Sequence, residues 1–247
     1  MIILKTEKQI EIMKEACKIV SETLKLVEKH IKPGVTTKQL DKIAEDYIRS
    51  KGAIPSFKGY GGFPASICAS PNEQIVHGFP SNNPLKEGDI ISIDVGAFYR
   101  GYHGDAARTF AVGKVDKKLE DLIYHTKQSF FEGIKDLKVG DHIGDISERI
   151  QKYAESHGYS VVRELIGHGV GHELHEDPQV PNYGKKGTGP IIESGLVIAV
   201  EPMINLGRKE VVFEGDGWTT RTKDGKPSAH YENTIAITNK GVEILTL

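Results

Sequence analysis

Cysteine is nearly absent from this chain: 247 residues contain two, Cys17 and Cys68. That excludes a secreted fold stapled by disulfides, and the lack of any Asn-x-Ser/Thr sequon agrees. Long apolar runs are also missing. None approaches the roughly 20 residues that a bilayer-spanning helix needs. The opening Met1-Ile2-Ile3-Leu4 meets Lys5, Glu7 and Lys8 too early for a signal peptide. No membrane partner is expected, and a reducing cytoplasm is. Charge of one sign is not in excess: 32 Lys+Arg against 34 Asp+Glu leave a net charge of −2. Such a balance carries no global signature of nucleic-acid binding. What remains is an ordinary globular composition, 38% hydrophobic and 27% charged, with mean hydropathy −0.34. It excludes a disordered chain and suits one large domain or two small ones.

Periodicity and caps organise the chain. Thr6-x-x-Gln9 reads as a capping box opening a helix, with Ile10, Met13, Cys17, Val20, Leu24 and Val27 as its buried stripe. Lys32-Pro33-Gly34 stops it. Thr36-x-x-Gln39 opens a second helix carrying Leu40, Ile43, Ala44, Tyr47 and Ile48, and Gly52 is placed to end it in a left-handed cap. Strand-like runs follow at 66–70, 90–98 and 102–112. Asp116 then caps a helix bearing Leu119, Leu122, Ile123, Phe130 and Ile134. Residues 138–158 match 32–52 at a constant offset of 106, with identities at the pairs 32/138, 34/140, 47/153, 50/156 and 52/158. Helix-helix-strands thus occurs twice. With no Pro/Gly/Ser-rich linker between the halves, the expectation is one domain over 1–247, its halves about 1–113 and 114–247, packed around one sheet.

Carboxylates stand where the apolar pattern would not place them. Asp94 and Asp105 flank a turn around Tyr99-Arg100-Gly101. If the turn centres between Tyr99 and Arg100, the two face each other across a hairpin and require a cation or a shared proton. A shifted turn, or a pairing of one Asp with Arg108, would leave them unremarkable. Glu201 ends the apolar run 196–200, and Glu232 precedes 233–237; a carboxylate in such a segment is costly unless it is paired or holds metal. Gly167-His168-Gly169-Val170-Gly171-His172-Glu173-Leu174-His175 has His168 and His172 four apart, but three glycines in five residues argue against the helix a zincin site needs. Two Asp, two Glu and one imidazole make a mostly oxygen ligand set. It suits Mn(II), Fe(II), Co(II) or Zn(II) in a catalytic site, and its four negative charges suit two ions better than one.

These residues sit in a wider set of motifs: Gly62-Phe63-Pro64, Ser66-Ile67-Cys68, Asn72-Glu73, His77-Gly78-Phe79-Pro80, Gly88-Asp89-Ile90, Ile93-Asp94-Val95-Gly96 and Gly101-Tyr102-His103-Gly104-Asp105. The set continues with Gly167-His168-Gly169-Val170-Gly171, Leu174-His175-Glu176, Pro178, Val200-Glu201-Pro202 and Tyr231-Glu232-Asn233-Thr234. Together they resemble the type I, bacterial-type methionine aminopeptidases across nearly the whole chain. The resemblance implies an α+β pita-bread fold, with pseudo-twofold halves around a curved antiparallel sheet. It implies two divalent ions held by Asp94, Asp105, His168, Glu201 and Glu232, with Asp105 and Glu232 bridging. The implied reaction is attack of a metal-bridged water or hydroxide on the carbonyl of an N-terminal methionine, the next residue being small. Glu201 would carry the proton, His175 would steady the oxyanion or the scissile amide, and His77 would contact the leaving peptide. Phe57, Tyr60, Phe63, Cys68, Leu174 and Trp218 match the family's methionine pocket. Phe57 stands where cysteine is common, and Leu174 where phenylalanine is.

Further expectations come with the family. Asn72 and Ser228 match the neighbourhood of a monovalent cation site for Na or K. The partner is the N-terminal Met of nascent polypeptides, with the ribosome nearby although no basic tail marks it, and the chain should be a monomer. Proline-type pita-bread enzymes carry an extra N-terminal domain, for which the approach to Asp94 leaves no room. Type II methionine aminopeptidases carry a helical insertion that nothing between Gly113 and His168 supplies. A metal-free binding protein on the same fold should have lost ligands, and none is lost.

Overall fold

Threonine caps open both helices of the first half. In the computed structural model, which describes residues 1–247, α1 (Glu7–Glu28) and α2 (Thr37–Ser50) each begin on a closed capping box. The Thr6 and Thr36 hydroxyls accept from the N–H groups of Gln9 and Gln39. The glutamine side chains in turn accept from the cap N–H groups at 2.8 and 2.9 Å. The chain continues through β1 (Ile54–Pro55), a 3-10 turn at Tyr60–Gly62, β2 (Ile67–Pro71), β3 (Gln74–Val76), β4 (Ile90–Tyr99) and β5 (Tyr102–Ala111). The second half holds α3 (Lys117–Ile134), α4 (Ile143–Ser156), β6 (Ser160–Val161), β7 (Gly167–Gly169), β8 (Glu176–Val180), β9 (Leu196–Val200) and β10 (Met203–Asn205). It ends with β11 (Val211–Phe213), β12 (Thr220–Thr222), β13 (Ser228–His230), β14 (Asn233–Thr238) and β15 (Gly241–Ile244).

The offset of 106 reaches well beyond the five sequence identities. It maps α2 onto α4 end to end and β1 onto β6. Gly52 and Gly158 both leave their helices at positive φ, 74° and 83°, a conformation that costs glycine no Cβ clash. The caps differ in chemistry. Asp145 replaces the glutamine at the head of α4, accepting from the His142 N–H at 2.7 Å, and Asp116 heads α3 without a side-chain capping bond.

Both halves place a helix pair on antiparallel strands. Val20, Leu24, Leu40, Ile48, Ile67, Ile91, Ile93 and Val95 form one core cluster. Phe130, Ile146, Ile150, Ile198, Val200 and Ile235 form its counterpart. A third cluster, including Met13, Cys17, Val170, Val197 and Ala236, ties α1 to the strands of the second half. Gly104 permits that contact, since a Cβ there would lie 2.8 Å from the Cys17 nitrogen. Each large aliphatic side chain fully buried in these clusters contributes about 1.5–3 kcal/mol. No helix is long and apolar enough to cross a membrane.

The antiparallel strands around which the two halves pack are divided into groups by their hydrogen bonding. They pair as four groups: β1-β4-β2 with β5 on β4, β15-β14-β9-β7-β8, β13-β10-β6 and β11-β12-β3. The two larger groups meet at β5 and β14, where few ladder bonds bridge them. The Glu232 N–H donates to the Ala107 carbonyl at 2.9 Å. Thr234 Oγ1 accepts from the Asp105 N–H at 3.1 Å and donates to the Asp105 carbonyl at 2.8 Å. A hydroxyl thus stands in for a backbone partner at the seam between the halves, beside two of the predicted ligands.

The hairpin that carries the aspartates differs from expectation by one residue. Tyr99 pairs with Tyr102 around a two-residue turn, with Arg100 and Gly101 both at positive φ, 51° and 86°. Two-residue hairpins favour such turns because their twist matches that of the strands. The turn therefore centres between Arg100 and Gly101, so that Asp94 faces Ala107 and Asp105 faces Gly96. The strand period of two keeps both carboxylates on one face, as diagonal neighbours instead of a directly opposed pair.

Candidate active site

Two ladders, one from each half, deliver the acidic side chains. On the first, Asp94 pairs across β2 with Cys68 and lies diagonal to Asp105. On the second, one register runs through Val200↔Asn233 and Met203↔His230. Regular pairing lapses between them, at Glu201-Pro202 and Tyr231-Glu232, and the same register sets Glu201 opposite Glu232. Proline explains the lapse, because it has no N–H to donate to a ladder. The carboxylates of this half therefore sit at a break between β9–β14 and β10–β13.

His168 comes from β7, which pairs with β9 through His168↔Ala199. Its Nδ1 lies 2.9 Å from the Gly169 carbonyl and so carries the ring proton, leaving Nε2 with a lone pair. That nitrogen faces Glu201 Oε1 at 3.5 Å and Asp105 Oδ2 at 3.8 Å. Glycines make the approach possible: a Cβ on Gly167 would meet the Ala199 carbonyl at 2.4 Å. His172 lies apart, exposed, with Nδ1 2.8 Å from the Gly101 carbonyl. His175 sits on the irregular stretch before β8. Its Nδ1 is 2.7 Å from the Tyr60 hydroxyl and its ring centroid 4.2 Å from that of His168. His77 has left-handed backbone at φ 59° and turns its ring edge-on to Trp218, centroids 6.2 Å apart.

Burial dominates the electrostatics. It pushes the Asp94 carboxyl up to about 7 and the Glu201 carboxyl up to about 8. Asp105 and Glu232 are driven well above the usual carboxylate range, first by burial and then by their acidic neighbours. The histidines move the other way. Burial, then the His175 ring, lowers His168 to about 3, and burial lowers His77 and His230 to about 4. Asp94 Oδ1, Asp105 Oδ1 and Glu232 Oε1 are enclosed without any hydrogen-bond partner. Ligand atoms of Asp105, His168 and Glu232 lie within 4.8 Å of one another. Orphaned carboxylate oxygens around an imidazole with a free lone pair fit a divalent cation, and no other group within the cavity supplies the missing positive charge.

The acids open on an apolar wall. Phe57, Phe63, Cys68 and Leu174 form a buried cluster backed by Phe79 and Trp218, with the Phe63 and Trp218 rings edge to face at 5.2 Å. Gly96 leaves room for Phe57, whose ring would lie 2.7 Å from a Cβ there. The structure brings all thirteen predicted site residues to the lining of one cavity of about 100 Å³. Asn72 and Ser228 are also neighbours, the Ser228 N–H donating to the Asn72 carbonyl at 2.9 Å.

One buried side chain escaped the sequence reading. His230 is 1% exposed, and its Nε2 lies 3.5 Å from Glu201 Oε2 and 3.8 Å from Glu232 Oε2. It stands two residues before Glu232, and the strand period of two was the available signal that both share a face.

A pita-bread fold whose two halves converge on buried acids, a free imidazole nitrogen and an adjoining apolar pocket defines a metal-dependent hydrolase. The profile of metallopeptidase family M24 matches residues 11–239, and the chain belongs to that family. It is 56% identical to the methionine aminopeptidase of Clostridium acetobutylicum over 248 residues, covering 100% of this chain and 99% of the relative. It is 52% identical to methionine aminopeptidase 1 of Bacillus subtilis, again over 100% of this chain and 99% of the relative. The crystal structure of methionine aminopeptidase from Rickettsia prowazekii superposes with a TM-score of 0.99 at 44% identity, covering all of both chains.

Proposed function

We propose that this chain removes the N-terminal methionine from peptides and nascent proteins whose second residue is small. One observation carries the reading: four carboxylates, two buried and two partly buried, and a free imidazole nitrogen share a small cavity with an apolar wall. The acids favour a substrate end bearing a free α-amino group, and the recess formed by Phe57, Phe63, Cys68, Leu174 and Trp218 takes an apolar, flexible side chain. Methionine combines both properties.

Asp94, Asp105, His168, Glu201 and Glu232 are the residues that would hold divalent ions, two of them in this reading, drawn from Mn, Fe, Co and Zn. Ions bound there supply Lewis acidity toward a carbonyl and a water of lowered pKa. The chain's own groups do the remaining work. Glu201, at the wall of the cavity beside the other acids, is the carboxylate that takes and returns the proton. His175 is aimed by its 2.7 Å contact with the Tyr60 hydroxyl, which leaves Nε2 to donate to the scissile amide or the oxyanion. His77 meets the leaving peptide from the Trp218 side of the cavity. Asn72 and Ser228 are the place for a monovalent cation, Na or K. The working state is a monomeric single domain over 1–247, acting in the cytoplasm on chains emerging from the ribosome. The two free, buried cysteines support a reducing compartment.

The test incubates the chain, loaded with Mn(II) or Co(II), with Met-Ala-Ser and with Ala-Pro-x peptides. Methionine release from the first and none of alanine from the second is expected. Release ahead of proline without any release of methionine overturns the reading in favour of a proline-type enzyme. Inertness toward both, in a chain that binds metal, overturns it as well.

A further inference from the structure

His230 is enclosed on β13, and neither ring nitrogen has a hydrogen-bond partner. Buried polar groups are rarely left so, because each unmet donor or acceptor carries its full desolvation cost. The main chain of His230 is fully engaged. Its N–H donates to Thr109 Oγ1 at 2.8 Å, and its carbonyl accepts from the same hydroxyl at 3.0 Å. This pair of hydrogen bonds to Thr109 on β5 holds the residue in place and leaves the ring facing the acids. Glu201 is consequently straddled by two imidazoles: Oε1 faces His168 Nε2 and Oε2 faces His230 Nε2, each at 3.5 Å. The two rings differ in what they can offer. His168 has committed its proton to the Gly169 carbonyl and presents a lone pair. The His230 ring has no such commitment and can carry its proton on Nε2.

We propose that His230 is a positioning residue of the metal centre: its Nε2, 3.5 Å from Glu201 Oε2 and short of a hydrogen bond, is placed to donate its proton to that oxygen, with Glu232 Oε2 at 3.8 Å as the alternative acceptor. It fixes the rotamer of Glu201 so that the opposite oxygen turns toward His168 and the ions. It also withdraws one of the four carboxylates from the mutual repulsion that would otherwise splay them. The group acts through Glu201, touches no substrate, and is an outer partner of a ligand of the kind that tunes metal sites.

The inference rests on the metal-dependent reading above, and the experiment separates the two. Divalent-ion affinity is measured by titration calorimetry with Mn(II), and ligand geometry by the visible absorption of Co(II), in the wild type, His230→Ala and His230→Gln. Steady-state kinetics follow on Met-Ala-Ser. Glutamine keeps a neutral N–H donor of similar reach. His230→Ala should weaken Mn(II) binding about 10–100-fold and lower kcat with little change in KM, while the Co(II) band positions persist. His230→Gln should recover most of both losses. An Ala variant with wild-type affinity and kcat overturns the proposal. A Gln variant as impaired as Ala, with Co(II) bands altered in both, overturns it in favour of direct ligation by the imidazole. Melting of the three metal-free proteins identifies loss of fold: an affinity loss that merely tracks a fall in melting temperature also overturns it. A wild type that binds no divalent ion overturns this proposal and the functional reading together.

Discussion

Glu201 is assigned two tasks in the proposed reaction, metal ligand and proton carrier, that a glutamine cannot share. Burial pushes its carboxyl up to about 8 in the metal-free fold, and its two oxygens face His168 and His230 separately. Glu201→Gln keeps the size of the side chain and removes both the charge and the exchangeable proton. We expect kcat to fall about 10²–10⁴-fold with circular dichroism unchanged. Turnover close to wild type would remove the assigned role. His175→Ala should lower kcat about 10²–10³-fold by loss of one donor, and steady-state kinetics on the same peptide check it. Gly96→Ala addresses the pocket instead. Its Cβ would fall 2.7 Å from the Phe57 ring, displacing that ring into the recess, so KM should rise more than kcat falls. The Asp and Glu positions were legible in the sequence because charge inside an apolar strand is conspicuous. His230 was less so: an imidazole in Ser228-Ala229-His230-Tyr231 breaks no pattern, its spacing of two from Glu232 is the only hint in the sequence, and the fold shows what its ring faces.

At the scale of elements, local signals were the readable ones. Thr6 with Gln9 and Thr36 with Gln39 sit within one helical turn of each other, and both capping boxes closed as expected. The offset of 106 was visible because it preserves turn glycines, whose φ the backbone demands. The hairpin turn lies one residue beyond the sequence expectation, since Arg100 adopts a positive φ that the sequence does not advertise. Nonlocal ties left no trace at all. Lys5 and Glu176, 171 residues apart, form a hydrogen-bonded ion pair with side chains 2% and 4% exposed. Its location matters, because Glu176 begins β8 directly after His175, and the Lys5 ammonium also donates to the Ile3 carbonyl at 2.8 Å. Gly171 and Gly195 leave the space through which Lys5 passes. Breaking this pair strands a charge in the interior. Lys5→Met should therefore destabilise the protein by about 3–5 kcal/mol, read from urea denaturation. Lys5→Met combined with Glu176→Leu removes both charges and should recover most of that loss. A double variant no more stable than the single one would show that the pair contributes something other than charge compensation.

The whole molecule is organised around an electrostatic cost that neither half bears alone. Asp94 and Asp105 come from the first half and Glu201 and Glu232 from the second, and the seam at Glu232–Ala107 and Thr234–Asp105 presses them together. Without metal, folding therefore favours their protonated forms. All four have folded pKa values above the unfolded range near 4. The stability they contribute is fully present below about pH 4 and is lost as pH rises through the folded values, about 7 for Asp94 and about 8 for Glu201. The buried histidines His77, His168 and His230 have the opposite sign. Their folded values of about 4, 3 and 4 lie below the unfolded 6.5. Their contribution is present above about pH 6.5 and is lost as pH falls through the folded values. Between about pH 6.5 and 8 the folded histidines are neutral and the unfolded ones go from about half to almost fully neutral, a smaller proton difference than that of the four raised carboxylates, which therefore govern the slope. In chelator the melting temperature should drop across that interval. Divalent ions select the ionised acids and cancel the repulsion, so the metal-induced rise in melting temperature should be larger at about pH 8 than at about pH 6.5. Calorimetric scans with EDTA and with excess Mn(II) at the two pH values measure both quantities. A chelated protein equally stable at both would mean that the four acids are already compensated within the fold, leaving no buried charge for a metal to neutralise.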